Sequence, residues 1–78
     1  MREKKKVVVR KKIFAVVTRE TVWSFLQMAK TVDKTCEVLS SDPKESFVRF
    51  IEPVESGNGP KRYGWIDNDA LREIDAAR

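Results

Sequence analysis

A chain of 78 residues has room for one small domain, because two hydrophobic cores would each need more polypeptide. Apolar residues make up 41% and charged residues 36%, a balance that buries a modest core and argues against disorder by composition. One cysteine excludes an internal disulfide, and the absence of histidine removes the commonest metal ligand and general base.

The net charge of +4 is unevenly placed. Residues 1–12 hold seven basic groups (Arg2, Lys4, Lys5, Lys6, Arg10, Lys11, Lys12) against Glu3, a net of +6. The body, residues 13–78, holds nine basic and eleven acidic groups, a net of −2. The division is therefore a basic N-terminal arm or edge strand over 1–12 and one globular domain over 13–78. Two readings of the arm compete. In one, Lys4, Lys5, Lys6, Arg10, Lys11 and Lys12 lie along phosphates or an acidic partner surface. In the other, the lysines bracket the β-prone run Val7-Val8-Val9 and keep an edge strand from pairing with a neighbour. No apolar run approaches the ~18–20 residues of a membrane span, and Met1 to Lys6 lacks the apolar stretch of a signal peptide. A soluble, cytoplasmic protein with no membrane partner is the expectation.

Residues 6–17 read as one bent strand or two short ones, rich in β-branched side chains. Ile13, Ala15 and Val17 share one parity, while Phe14 and Val16 make the second face apolar as well. Residues 18–42 are ambiguous. Val22, Phe25 or Leu26, Ala29, Val32, Cys36 and Leu39 recur at helical spacing, with Thr18 as a cap and Asp42-Pro43 as a stop. Four threonines from Thr18 to Thr35, with valine and aromatics, favour instead strands near 22–32 and 35–40 around an Asp33-Lys34 turn. Ser46 to Ile51 is a strand ended by Pro53, which cannot donate to a ladder. Glu55 to Pro60 is a loop, and Arg62-Tyr63-Gly64-Trp65-Ile66 is the returning strand of a hairpin. Gly64 within it marks a sharp bend or a close approach of backbone to a neighbour. Asp67-Asn68-Asp69 can cap a short helical turn.

From Lys34 onward this order resembles an SH3-like barrel, in particular bacterial SH3 domains. Thr35 to Leu39 looks like the strand after the first long loop, and Phe47 to Ile51 like the middle strand. Gly64-Trp65-Ile66 is similar to the glycine-aromatic-aliphatic strand near the C-terminus of those domains. Asp67 to Ala70 would be the 3₁₀ turn and Leu71 to Ile74 the closing strand. The likeness covers roughly 40 residues. It implies a mostly β, SH3-like five-stranded small barrel with a short 3₁₀ or helical turn near 67–71, and so residues 22–39 extended. The alternative is an α+β domain with one long helix at 19–40 and a C-terminal hairpin. Asp67-Asn68-Asp69-Ala70 lacks the proline and tyrosine with which eukaryotic SH3 domains grip polyproline, and the middle strand opens Glu45-Ser46-Phe47 instead of with paired tryptophans. Both departures argue against that mode of peptide binding.

Chemistry-bearing groups are sparse. Cys36 has no histidine to make it a thiolate and alternates with Val38 on an apolar face, so a buried structural thiol is expected. Asp67-Asn68-Asp69 falls short of a calcium loop in ligand count and lacks its glycine. Glu52 and Glu55 flank a loop and read as solvated. No enzyme, cofactor or metal is expected. Tyr63 and Trp65 share a face opposite Gly64 and Ile66, beside Lys61 and Arg62. With Trp23 they form the candidate partner surface, for a protein, a peptide or a second copy. The alternative is a small nucleic-acid-binding protein that combines the arm with stacking aromatics.

Overall fold

The computed structural model describes residues 12–74, so the basic arm, Lys12 excepted, lies outside the described residues. The chain runs β1 (Ile13–Val17), α1 (Val22–Gln27), β2 (Thr35–Ser41), β3 (Glu45–Val54), β4 (Lys61–Asp67), a 3₁₀ turn (Asn68–Ala70) and β5 (Leu71–Ile74). All five strands join one antiparallel sheet in the order β4-β3-β2-β1-β5. The mostly β expectation holds, and the 3₁₀ turn falls where it was expected. The ladder is not closed, however. Among the described residues β4 and β5 remain its two edges, so the strands do not pair into a full barrel.

Strand alternation builds the core. Ala15 and Val17 of β1, Cys36 of β2, Val48 and Phe50 of β3, and Ile66 of β4 all turn inward and are buried together with Val54 and Ala70. Leu39 is the extra residue where the β2–β3 register slips between Val38 and Ser40, and it stays exposed. Pro53 does not end β3, which continues to Val54. It lies where the β3–β4 register jumps from Arg49 to Val54, beyond the last β2 partner of β3 at Phe50, so no ladder asks for its missing N–H.

The segment between β1 and β2 corrects both sequence readings. It is neither a long helix over 19–40 nor extended over 22–32, but one short helix of six residues inside a long loop. Thr21, not Thr18, is its N-cap. The Thr21 hydroxyl accepts from the Ser24 N–H at 3.2 Å, and Ser24 Oγ accepts from the Thr21 N–H at 2.8 Å. Met28, at φ 53°, ends it in the left-handed region, and the Met28 and Ala29 amides donate to Phe25 and Ser24 carbonyls. The loop is anchored at both sides. Lys30 N–H donates to the Glu55 carbonyl and Gly57 N–H to the Gln27 carbonyl, each at 2.9 Å. The Thr18 N–H and hydroxyl both donate to the Ala70 carbonyl, which ties the start of the loop to the 3₁₀ turn. Arg19 pairs there with Asp69 and reaches Asp67 at 3.8 Å. Asp67 precedes the turn without capping it through its side chain, contrary to the sequence reading.

Candidate functional site

Alternation on β3 and β4 also fixes what faces outward. Ser46, Val48 and Phe50 are buried, so Phe47 and Arg49 point to the other side of the sheet. Gly64 and Ile66 are buried on β4, which leaves Tyr63 and Trp65 outward, 50% and 39% exposed. The register sets Phe47 opposite Trp65 and Arg49 opposite Tyr63. Ring centroids lie 5.1 Å apart for Phe47–Trp65, tilted by 48°, and 5.8 Å apart for Phe47–Tyr63, nearly parallel at 9°. Three aromatic rings thus form one continuous surface on the solvent side of the hairpin.

Arg49, the charge within the aromatic row, is neutralised inside the protein. Glu37 of β2 lies opposite Arg49 of β3, and their side chains bond at 2.6 Å. That bond pushes the Arg49 guanidinium to a still higher pKa, so it stays charged and occupied. The row Glu37–Arg49–Tyr63 therefore offers a fixed, hydrogen-bonded ion pair next to the rings.

Tyr63 and Trp65 come together as the sequence suggested. The other three residues named with them are placed differently. Trp23 sits on the opposite face of β4: its ring stacks on buried Phe50 at 6.4 Å and fills the space above Gly64. Arg62 is exposed, but its guanidinium donates to the Ile51 carbonyl at 3.3 Å, off the end of the aromatic row. Lys61 opens β4 opposite Val54, past the register jump. Lys12 is exposed, whereas Lys4, Lys5, Lys6, Arg10 and Lys11 lie outside the described residues. Two members of the site escaped the sequence reading, Phe47 and Arg49. Their parity on β3, opposite that of Val48 and Phe50, was the available signal.

Cys36 is fully buried in β2, with its thiol 3.5 Å from the Ala15 carbonyl. Burial pushes that thiol up to about 11, so it is a packed, protonated group at neutral pH. Asp42 sits in the β2–β3 turn, where its carboxylate accepts from the Lys44 and Glu45 amides at 2.9 Å, which lowers its pKa. No group of three or more metal-ligating side chains occurs among the described residues, and no described helix is long and apolar enough to cross a membrane. No protein-family model, curated protein or solved structure matches the chain.

Proposed function

We propose that the protein is a non-catalytic binding module that takes a protein or peptide partner on the Phe47, Tyr63 and Trp65 face. The observation that carries this reading is the contact of two exposed rings, Tyr63 and Trp65, with half-buried Phe47 on the outer face of β3 and β4. Tryptophan and tyrosine contribute large contact area at low entropy cost, and they dominate binding energy where partners meet. The Glu37–Arg49 pair supplies a polar rim already satisfied within the protein. The order β4-β3-β2-β1-β5, with a 3₁₀ turn between β4 and β5, supports the SH3-like reading of the architecture. A reducing, cytoplasmic setting fits the lone, buried thiol.

Charge decides the order of the two readings. A surface that stacks unpaired bases normally sets free cations beside its rings to hold phosphates. Here the arginine in the aromatic row already holds a carboxylate. The cations offered to a nucleic acid are consequently chiefly those of the basic arm, at the far end of the sequence from the rings.

Trp65→Ser separates these cases. Affinity for the protein partner is expected to fall about 30-fold or more, the equivalent of losing a hot spot of about 2 kcal/mol. Because Trp65 is outward, the unfolding temperature should shift by only a few degrees. Binding that survives Trp65→Ser, but disappears on removal of residues 1–12 and weakens steeply with salt, would favour the nucleic-acid reading.

A further inference from the structure

Strand β4 is an open edge without the usual protection. Among the described residues it pairs with β3 alone, and no loop group bonds its backbone. The direction of its free groups follows from one bond. The Asn68 N–H donates to the Lys44 carbonyl at 2.9 Å, and these two residues are the next pair in the register that sets Glu45 opposite Asp67. Bonded and non-bonded pairs alternate along an antiparallel ladder, so Ile66 and Gly64 exchange bonds with Ser46 and Val48. The Asp42 N–H donates to the Glu45 carbonyl from the β2 side, as the same alternation requires. The backbone N–H and C=O groups of Tyr63, Trp65 and Asp67 therefore point away from β3, toward the open side. Edge strands are normally kept from pairing by shortness or by charge in mid-strand. The other edge, β5, has both, with 4 residues and exposed Arg72 and Glu73 at its centre. By contrast β4 has 7 residues, and its centre, Tyr63 to Ile66, carries no charge.

We propose that β4 pairs antiparallel with β4 of a second copy about a two-fold axis at Gly64, joining the two sheets into one. The strand Lys61–Asp67 is centred on Gly64. The axis therefore sets Tyr63 opposite Trp65 of the other copy, and Lys61 opposite Asp67 of the other copy. Tyr63 and Trp65 are positions whose backbone groups face the edge, so they exchange N–H···O=C bonds across the axis. Charge complementarity selects a second copy. Lys61 and Asp67 stand at opposite ends of one extended strand, roughly 20 Å apart at ~3.4 Å per residue, and share the face of Tyr63 and Trp65. At one end Asp42, Glu45, Asp67 and Asp69 meet Lys44 and Arg19, a net of 2 − 4 = −2. Arg19 bonds Asp69 and reaches Asp67 only at 3.8 Å. At the other end Lys61 lies opposite Val54 and makes no salt bridge among the described residues. Reversing the strand against itself thus brings a free ammonium to the acidic end, twice per pair. The rings of the two copies form one row and stay open on the outward side, so the pairing goes beyond the partner-binding reading and does not depend on it.

Residue-resolved amide exchange of the full chain over a concentration series tests the pairing. In the monomer the Gly64 and Ile66 amides are held by β3, whereas those of Tyr63 and Trp65 exchange freely. Protection at Tyr63 and Trp65 is expected to rise about tenfold or more from micromolar to millimolar concentration. Sedimentation over the same range is expected to show the mass rising from 9.0 kDa toward twice that value. Lys61→Asp and Asp67→Lys each oppose like charges at both ends of the interface. Each variant alone is expected to associate on the order of tenfold more weakly than the unchanged chain. An equimolar mixture of the two is expected to recover that affinity, because an acidic group then meets a basic one at both ends. The recovery requires β4 to pair with itself in this register, and it also shows that both variants fold. A chain that stays monomeric at millimolar concentration overturns the proposal. So do association that leaves the Tyr63 and Trp65 amides unprotected, growth past a dimer, and a mixture that binds no better than its components. Both variants keep Phe47, Tyr63 and Trp65, so capture of a foreign protein by the rings is judged separately, by Trp65→Ser.

Discussion

Gly64 shows how a single residue can fix the hairpin against the loop. A Cβ at this position would lie 2.6–2.9 Å from three atoms of the Trp23 ring, closer than side chains tolerate. Trp23 in turn stacks on Phe50 and is held by α1, so the ring has little room to retreat. Gly64→Ala is therefore expected to destabilise the fold by about 2–3 kcal/mol through overpacking, read as a lower urea midpoint. Trp23→Phe in the same chain should recover part of that loss. The sequence already marked Gly64 as a place of close approach, because a glycine inside a strand forfeits packing unless something lies over it. It did not reveal what lay there, since Trp23 is 41 residues away. Cys36 gives a second test at this scale. Its thiol titrates near 9.0 when unfolded and near 11 when folded, so the unfolded chain loses its proton first. Stability is accordingly full below pH 9 and falls between pH 9 and 11, by about 2–3 kcal/mol at ~1.4 kcal/mol per unit. Denaturant titrations of the wild type and Cys36→Ala across that range should show the wild type losing the advantage it holds at pH 7.

At the level of elements, the strands were legible and the helix was not. Phe47 to Ile51 and Arg62 to Ile66 are rich in aromatic and β-branched residues and are separated by glycine, asparagine and proline, so the hairpin follows from local chemistry. Helix α1 is too short to establish a period. Its apolar residues follow helical spacing, yet they point to solvent, which breaks the rule that lets such spacing reveal a buried face. What holds it is the reciprocal Thr21–Ser24 capping box, an irregular signal in which serine stands at the place usually taken by Glu or Gln. Thr21→Ala is expected to cost about 1–2 kcal/mol and to increase amide exchange at Phe25 and Ala29, whose N–H groups donate within this turn. The strand through Pro53 was hidden for a related reason. Proline ends strands whose ladders need its N–H, and only three-dimensional register shows that this ladder does not.

For the whole molecule, the position of charge and of exposed rings matters more than the net charge. The inward side of the sheet is consumed by the core, while the outward side of β3 and β4 carries three touching rings and a settled ion pair. Sequence parity located Tyr63 and Trp65, whereas Phe47 and the Glu37–Arg49 bond depend on the β2–β3–β4 register. The central claim is that this face meets a protein. Replacing Tyr63 or Trp65 in turn with a photoreactive aromatic residue, irradiating in cells and digesting with nuclease before mass analysis tests it most directly. Covalent protein adducts at positions 63 and 65, absent when the same residue replaces Arg72 on β5, are the expected result. Adducts that vanish with nuclease, or equal labelling at all three positions, would contradict the account.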